Sequence, residues 1–284
     1  MERTQDSSLS LKESLYVTGN ESTALHTVDI WQPKNGIKSN GIWLVFIHGG
    51  AWRDPLTDSK SFQPAVSDLW NSDSAKSIAG FASINYRLSP YPNKVEAPSS
   101  PDDPSRNVCY PAHLSDVEKA LLYLEAHYQI ANRYVLIGHS AGATMAMELQ
   151  TCSLPNPLAV LGIAGIYDFD GLLEAHHHPT YKEFMENAFP DRSTWKKAAP
   201  CTNLSLDNLY ERAKLVIISY SDDDELIEVG QAKSMLERIK AGPAPQGRVH
   251  VVKATGHHDE MWEGDGHVLA GVIRESLELI QNDI

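Results

Sequence analysis

The chain has 284 residues, 42% of them hydrophobic, enough for one large core in a single domain spanning 1–284. Its formal net charge of −13 repels both nucleic acid and anionic membrane surfaces, so neither is expected as a partner. Three cysteines (Cys109, Cys152 and Cys201) without a local pairing pattern, a polar start at Met1–Ser8 and no apolar run of membrane-spanning length point to a cytoplasmic protein.

Residues 1–14 read as a loose polar start, and 15–18 and 26–31 alternate enough to be edge strands. Ile42–Ile47 is a wholly apolar run and predicts a buried strand; Phe81–Tyr86 predicts another. Residues 89–111 hold six prolines among Ser and Asp and predict a long surface loop. Over 112–128, Leu114, Val117, Leu121, Leu124 and Tyr128 recur at spacings of three and four, one apolar stripe of a helix. A strand at 134–138 and a helix at 141–151 follow, then strands at 158–163 and 215–220, a helix at 230–240, a strand at 249–253 and a last helix at 267–281. The segment 168–212 is helical but irregular and predicts a small cap. Buried strands alternating with amphipathic helices predict an α/β fold with a mostly parallel central sheet flanked by helices. Ligands of such sheets bind beyond the carboxyl ends of the strands.

Two strings fall at such ends. Gly138-His139-Ser140-Ala141-Gly142 joins the strand at 134–138 to the helix after it, the context of a nucleophile elbow. Small neighbours leave room for a sharp turn that exposes a serine hydroxyl, and the following helix aims free N–H groups at the site. His48-Gly49-Gly50-Ala51-Trp52 follows the strand at 42–47, where a glycine-rich loop can point N–H groups at an oxyanion. A serine nucleophile needs a base, and the base needs an acid to hold its tautomer. In this fold the order along the chain is serine, acid, histidine. Asp222, Asp223 and Asp224 all follow the strand at 215–220, and His257 and His258 follow the strand at 249–253. At least two of the three aspartates belong to a solvated loop. His176-His177-His178 is no metal site, because three consecutive helical residues point in different directions.

The two glycine strings together resemble the α/β-hydrolases related to hormone-sensitive lipase, and Asn85-Tyr86-Arg87-Leu88-Ser89-Pro90 is similar to another segment of that group. The tryptophan closing His48–Trp52, with Gly165-Ile166-Tyr167-Asp168 and Glu183–Phe189, resembles the metal-independent kynurenine formamidases of eukaryotes. Ser219–Leu226 resembles the acid loop of the fungal members with two extra residues, and the insert at 89–111 departs from the family. The resemblance implies an α/β-hydrolase fold and cleavage of N-formyl-L-kynurenine to L-kynurenine and formate, with no metal or cofactor. It implies a catalytic set of Ser140, Asp224 and His258. Asp224 has a small residue three before it and an apolar one two after, and His258 stands second after Gly256. It implies an oxyanion hole from the N–H groups of Gly49, Gly50 and Ala141. Trp52 is then either a wall for the substrate ring or a packing residue beneath the loop. A general carboxylesterase and a non-catalytic ligand receptor on the same fold are the rival readings. The oligomeric state stays open, a homodimer included.

Overall fold

The structure, a computed structural model, describes residues 8–36, 38, 40–149, 154–203, 212–242 and 248–283. Among these residues eight strands form one sheet: β1 (Leu9–Leu15), β2 (Thr27–Pro33), β3 (Ile42–Ile47), β4 (Ile78–Ile84), β5 (Tyr134–His139), β6 (Ala159–Ile163), β7 (Leu215–Tyr220) and β8 (Val249–Lys253). Their order is β1-β2-β4-β3-β5-β6-β7-β8. β1 and β2 run antiparallel to their neighbours, and every other pair is parallel. Among the described residues eight helices accompany them: α1 (Gln63–Trp70), α2 (Ala112–Tyr128), α3 (Ala141–Glu148), α4 (Phe169–Ala175), α5 (Pro179–Ala188), α6 (Trp195–Ala198), α7 (Val229–Ala241) and α8 (His267–Asp283). The chain has the α/β-hydrolase fold expected of its sequence.

The apolar strands feed two cores, because successive side chains of a strand leave on opposite faces. Val45 and Ile47 of β3, Leu136 of β5 and Val216 and Ile218 of β7 pack into one core with α2, α3 and α7. Leu44 and Phe46, Val135 and Ile137, and Leu215 and Ile217 pack into the other with α1 and α8. Both faces are therefore covered, which is why these strands read as continuous apolar runs. The second core joins distant parts of the chain. Asp68 of α1 pairs with Arg274 of α8, and with His267 at 3.2 Å.

Several boundaries differ from the sequence reading. The first strand lies at 9–15 rather than 15–18, inside the stretch expected to be loose. It is an edge strand whose Leu11 and Leu15 are exposed, so its apolar pattern has no core to mark. β2 is not an edge, being paired on both sides. β4 ends at Ile84 rather than Tyr86. Asn85 N still donates to Thr27 O at 3.0 Å, but its side chain bonds elsewhere: the amide donates to Thr27 Oγ1 at 2.8 Å and accepts from Ser59 N at 2.7 Å. The helix after Ser140 stops at Glu148, and 150–153 lie outside the described residues. α1 had no counterpart in the sequence reading.

Residues 89–111 form neither helix nor strand, as expected. The segment is nevertheless tied down. Ser89 N donates to Trp52 O at 2.8 Å, Leu88 N to Ser105 O at 2.8 Å, and Tyr110 N to Ala188 O at 2.7 Å. Of the segment 168–212, residues 204–211 lie outside the described residues; the rest carries α4, α5 and α6.

Candidate active site

β5 and α3 meet at Ser140, whose backbone stands at φ 53°, ψ −120°. A serine at positive φ is strained and persists only where its surroundings fix it. Here Ser140 N donates to Ile163 O of β6 at 2.9 Å, and its carbonyl accepts from Ala143 N at 2.9 Å. The turn demands glycine at 142, since a Cβ there would lie 2.2 Å from Ile47 O. That closeness sets the start of α3 against the end of β3, where the second glycine string begins. As the first residue of α3, Ala141 has an N–H with no acceptor inside the helix.

Beyond β3 the chain turns sharply: Gly50, Ala51 and Trp52 all have positive φ, at 88°, 49° and 58°. Tyr86 holds this turn. Its hydroxyl lies 2.9 Å from Gly49 O and 3.1 Å from His48 O. In a trans peptide the carbonyl and the next N–H point opposite ways. With both carbonyls drawn to Tyr86, the N–H groups of Gly49 and Gly50 face away from it. A Cβ on Gly49 would sit 3.0 Å from Ser140 Cβ, so this backbone lies against the serine. The His48 ring stacks on Tyr86 at 4.4 Å, and its Nδ1 is 3.0 Å from Gly49 O. Burial lowers the His48 pKa to about 4, so the imidazole is neutral and donates Nδ1–H.

The loops after β7 and β8 bring one acid and one histidine together. His258 Nδ1 lies 2.8 Å from Asp224 Oδ2, and the two side chains are 5% and 1% exposed. A carboxylate only accepts, so Nδ1 carries the hydrogen and Nε2 keeps its lone pair. Asp224 Oδ1 accepts from Leu226 N at 3.0 Å and Ile227 N at 2.8 Å, which fixes the carboxylate. The neighbours form a separate outer pair: His257 Nδ1 donates to Glu225 Oε2 at 3.1 Å, and that carboxylate raises its pKa. Asp222 pairs with Lys253 at the surface. The Ser221 hydroxyl donates to Gly256 O at 2.7 Å and accepts from Asp223 N at 3.1 Å, lacing the two loops together. Gly256 turns the chain there at φ 86°.

Ser140, Gly50 and His258 line one cavity of about 410 Å³. Trp52 does not. Its side chain is 1% exposed and packs edge-on against Phe189 at 4.9 Å and Phe169 at 6.1 Å. The ring-wall expectation for Trp52 is thus corrected: the left-handed turn swings it under the loop, into the core. The aromatic residues on the wall are Tyr91, Tyr181, Phe184 and Trp262. Tyr181 and Phe184 stand three apart on α5, a helical spacing readable in the sequence; Tyr91 sits in the proline-rich loop, where no periodicity marks it. Arg53 and Lys94 also line the cavity and escaped the sequence reading. Among the three consecutive histidines, His176 pairs with Glu228 at 2.8 Å and His178 caps α5. Among the described residues, no three His, Cys, Asp or Glu side chains converge as a metal site.

Known proteins of two kinds are similar to this chain. A family model described as BD-FAE matches residues 28–239. A kynurenine formamidase-like hydrolase of Fusarium equiseti is 34% identical over 94% of each chain. A kynurenine formamidase of Aspergillus versicolor is 34% identical over 87% of this chain and 93% of its own. One of Meyerozyma guilliermondii is 31% identical over 90% and 91%. In fold, carboxyl esterase 2 of Tuber melanosporum superposes with a TM-score of 0.69 at 14% identity, covering 99% of this chain and 89% of that one. A hormone-sensitive lipase from a metagenome library gives 0.67 at 16% identity, covering 98% and 87%.

Proposed function

The chain belongs to the BD-FAE family and to the kynurenine formamidases, and from that premise we propose that it hydrolyses N-formyl-L-kynurenine to L-kynurenine and formate in tryptophan catabolism. A buried Asp224–His258 pair whose histidine shares one cavity with the elbow serine is the observation that carries a serine-hydrolase mechanism. Ser140 Oγ attacks the formyl carbon as His258 Nε2 takes its proton. Asp224 holds the His258 tautomer and balances the charge that develops on the ring. The N–H groups of Gly49, Gly50 and Ala141 receive the oxyanion; losing one such donor costs about a hundredfold or more in rate. His258 then protonates the departing aryl amine, and water cleaves the formyl-enzyme. Every step is carried by these side chains and backbone groups, so the reaction calls for no metal or cofactor. The formyl group is small, so the aryl leaving group carries specificity, and the aromatic wall of Tyr91, Tyr181, Phe184 and Trp262 supports an aryl occupant.

Within a single domain, the described part of 168–212 works as a cap, which Tyr181 and Phe184 on the cavity wall support. Among the described residues no helix is long and apolar enough to cross a membrane. A cytoplasmic location is supported by the unpaired Cys109 and Cys201. A homodimer is read in light scattering as twice the chain mass of 31.4 kDa. The decisive assay compares N-formyl-L-kynurenine with a p-nitrophenyl ester, using the wild type and Ser140→Ala. Hydrolysis of the formamide that disappears in Ser140→Ala supports the proposal. Activity confined to the ester makes the chain a carboxylesterase.

A further inference from the structure

Arg53 follows the oxyanion turn directly, yet it takes no part in the chemistry above. Its side chain is 3% exposed and lines the same cavity as Ser140 and His258. The guanidinium lies over the Tyr91 ring, 3.8 Å from its centroid, with Phe184 farther off at 5.9 Å. It forms an ion pair with Glu183, whose Oε1 lies 3.1 Å from Nη1 on a side chain 38% exposed and so largely screened by solvent. That approach is not aligned as a hydrogen bond, and buried Nη1 has no hydrogen-bond partner among the described residues.

A buried cation is costly unless its donors are used. Stacking on Tyr91 covers the face of the guanidinium and leaves its edge, where the N–H groups lie. That edge forms a fork matched to two carboxylate oxygens. Lys94, on the same wall, is paired with Asp54 at 2.9 Å and so adds little uncompensated charge. The cavity's other acids, Asp259 and Glu263, belong to the loop after His258. An occupant bearing both a carboxylate and an ammonium finds complementary charge here.

We propose that Arg53 is the anchor for the α-carboxylate of the substrate, so that the site takes an aryl formamide carrying a free amino-acid end rather than one whose carboxyl is amidated or absent. For the identity of that substrate the proposal rests on the formamidase reading. It makes Arg53 a specificity residue: it holds the remote end while the formyl group sits at Ser140.

Binding to Ser140→Ala tests the proposal without turnover. The probes are L-kynurenine, its carboxamide (which keeps the ammonium) and 2-aminoacetophenone (which lacks the amino-acid end). L-Kynurenine should bind about tenfold or more tightly than its carboxamide, the order expected of a hydrogen bond to a charged partner. In Ser140→Ala/Arg53→Gln that difference should vanish. Arg53→Lys, which keeps the charge without the fork, should restore part of it. Equal binding of L-kynurenine and its carboxamide to Ser140→Ala overturns the proposal, and needs no change at Arg53. So does an Arg53→Gln variant that weakens all three probes alike, the mark of a purely structural role. A wild type that hydrolyses no aryl formamide overturns the formamidase reading instead, while the binding comparison still decides the carboxylate subsite.

Discussion

Three acids and two histidines competed for two roles, and side-chain direction separates them. Asp224 turns inward, its Oδ1 accepting from two backbone N–H groups and its Oδ2 facing His258, whereas Asp222 meets Lys253 in solvent and Glu225 takes His257. Asp224→Asn keeps the shape but spoils the tautomer, and should lower kcat about a thousandfold or more. Asp222→Asn should stay within a few-fold of wild type. His258→Gln should abolish turnover, and His257→Gln should leave most of it. Steady-state kinetics of the four variants checks this, and a severe loss in Asp222→Asn or His257→Gln would reverse the assignment. The resemblance to the family around Asp224 and Gly256 singled this pair out in the sequence, whereas composition and periodicity left all three aspartates and both histidines open. Arg53 and Tyr91 were not readable, because their meeting depends on how the loop 89–111 folds back over the oxyanion turn. No periodic pattern records such a contact.

At the scale of elements, the turn at 49–52 is held from above and below. Tyr86 grips its carbonyls, and Trp52 plugs its underside into the rings of α4, α5 and the Phe189 segment. Trp52→Ala would empty a buried site that cannot collapse, because Phe169 and Phe189 also pack against one another at 4.8 Å. It should destabilise the protein by about 3–5 kcal/mol in denaturant titrations. Where the variant remains folded, activity toward formyl-kynurenine and toward a small aliphatic ester should fall together. A selective loss on the aryl substrate would return Trp52 to the cavity wall. The elements framing the site were legible because β3, β5 and β7 are buried on both faces and α2 on one, so apolar pattern and structure coincide. β1 was misplaced because an exposed edge leaves pattern without consequence.

For the whole molecule, buried titratable groups set opposing pH demands. Burial lowers the pKa of His48 to about 4 and of His113 to about 3, and holds His139 well below its ordinary 6.5. The unfolded chain binds these protons first, so this part of the stability is complete above 6.5 and is lost as pH falls through about 4 and then 3. Glu148 acts in the other direction. Burial raises it from 4.5 to about 8, against the Tyr110 hydroxyl that bonds it at 2.5 Å. Its contribution is complete below 4.5 and is lost as pH rises through about 8. Stability should therefore peak between the two limbs. Glu148→Gln removes the alkaline limb, so its melting temperature should fall less than that of the wild type between about pH 6 and pH 9. Parallel slopes in the two proteins would show that Glu148 does not set that limb.

The pairing of Asp68 with Arg274 and His267 has a kinetic meaning. One face of the sheet is closed by α2, α3 and α7, helices that lie next to their strands in sequence. The other needs α1 and α8 to meet across some two hundred residues. Closing so long a loop costs entropy that only the finished contact returns. Assembly of the molecule should therefore be lopsided in time, the face under α3 forming early and the α1–α8 face sealing last. In pulsed hydrogen exchange during refolding, amides of β5 and α3 should become protected before those of α8. Protection of α8 in the first phase would contradict this order.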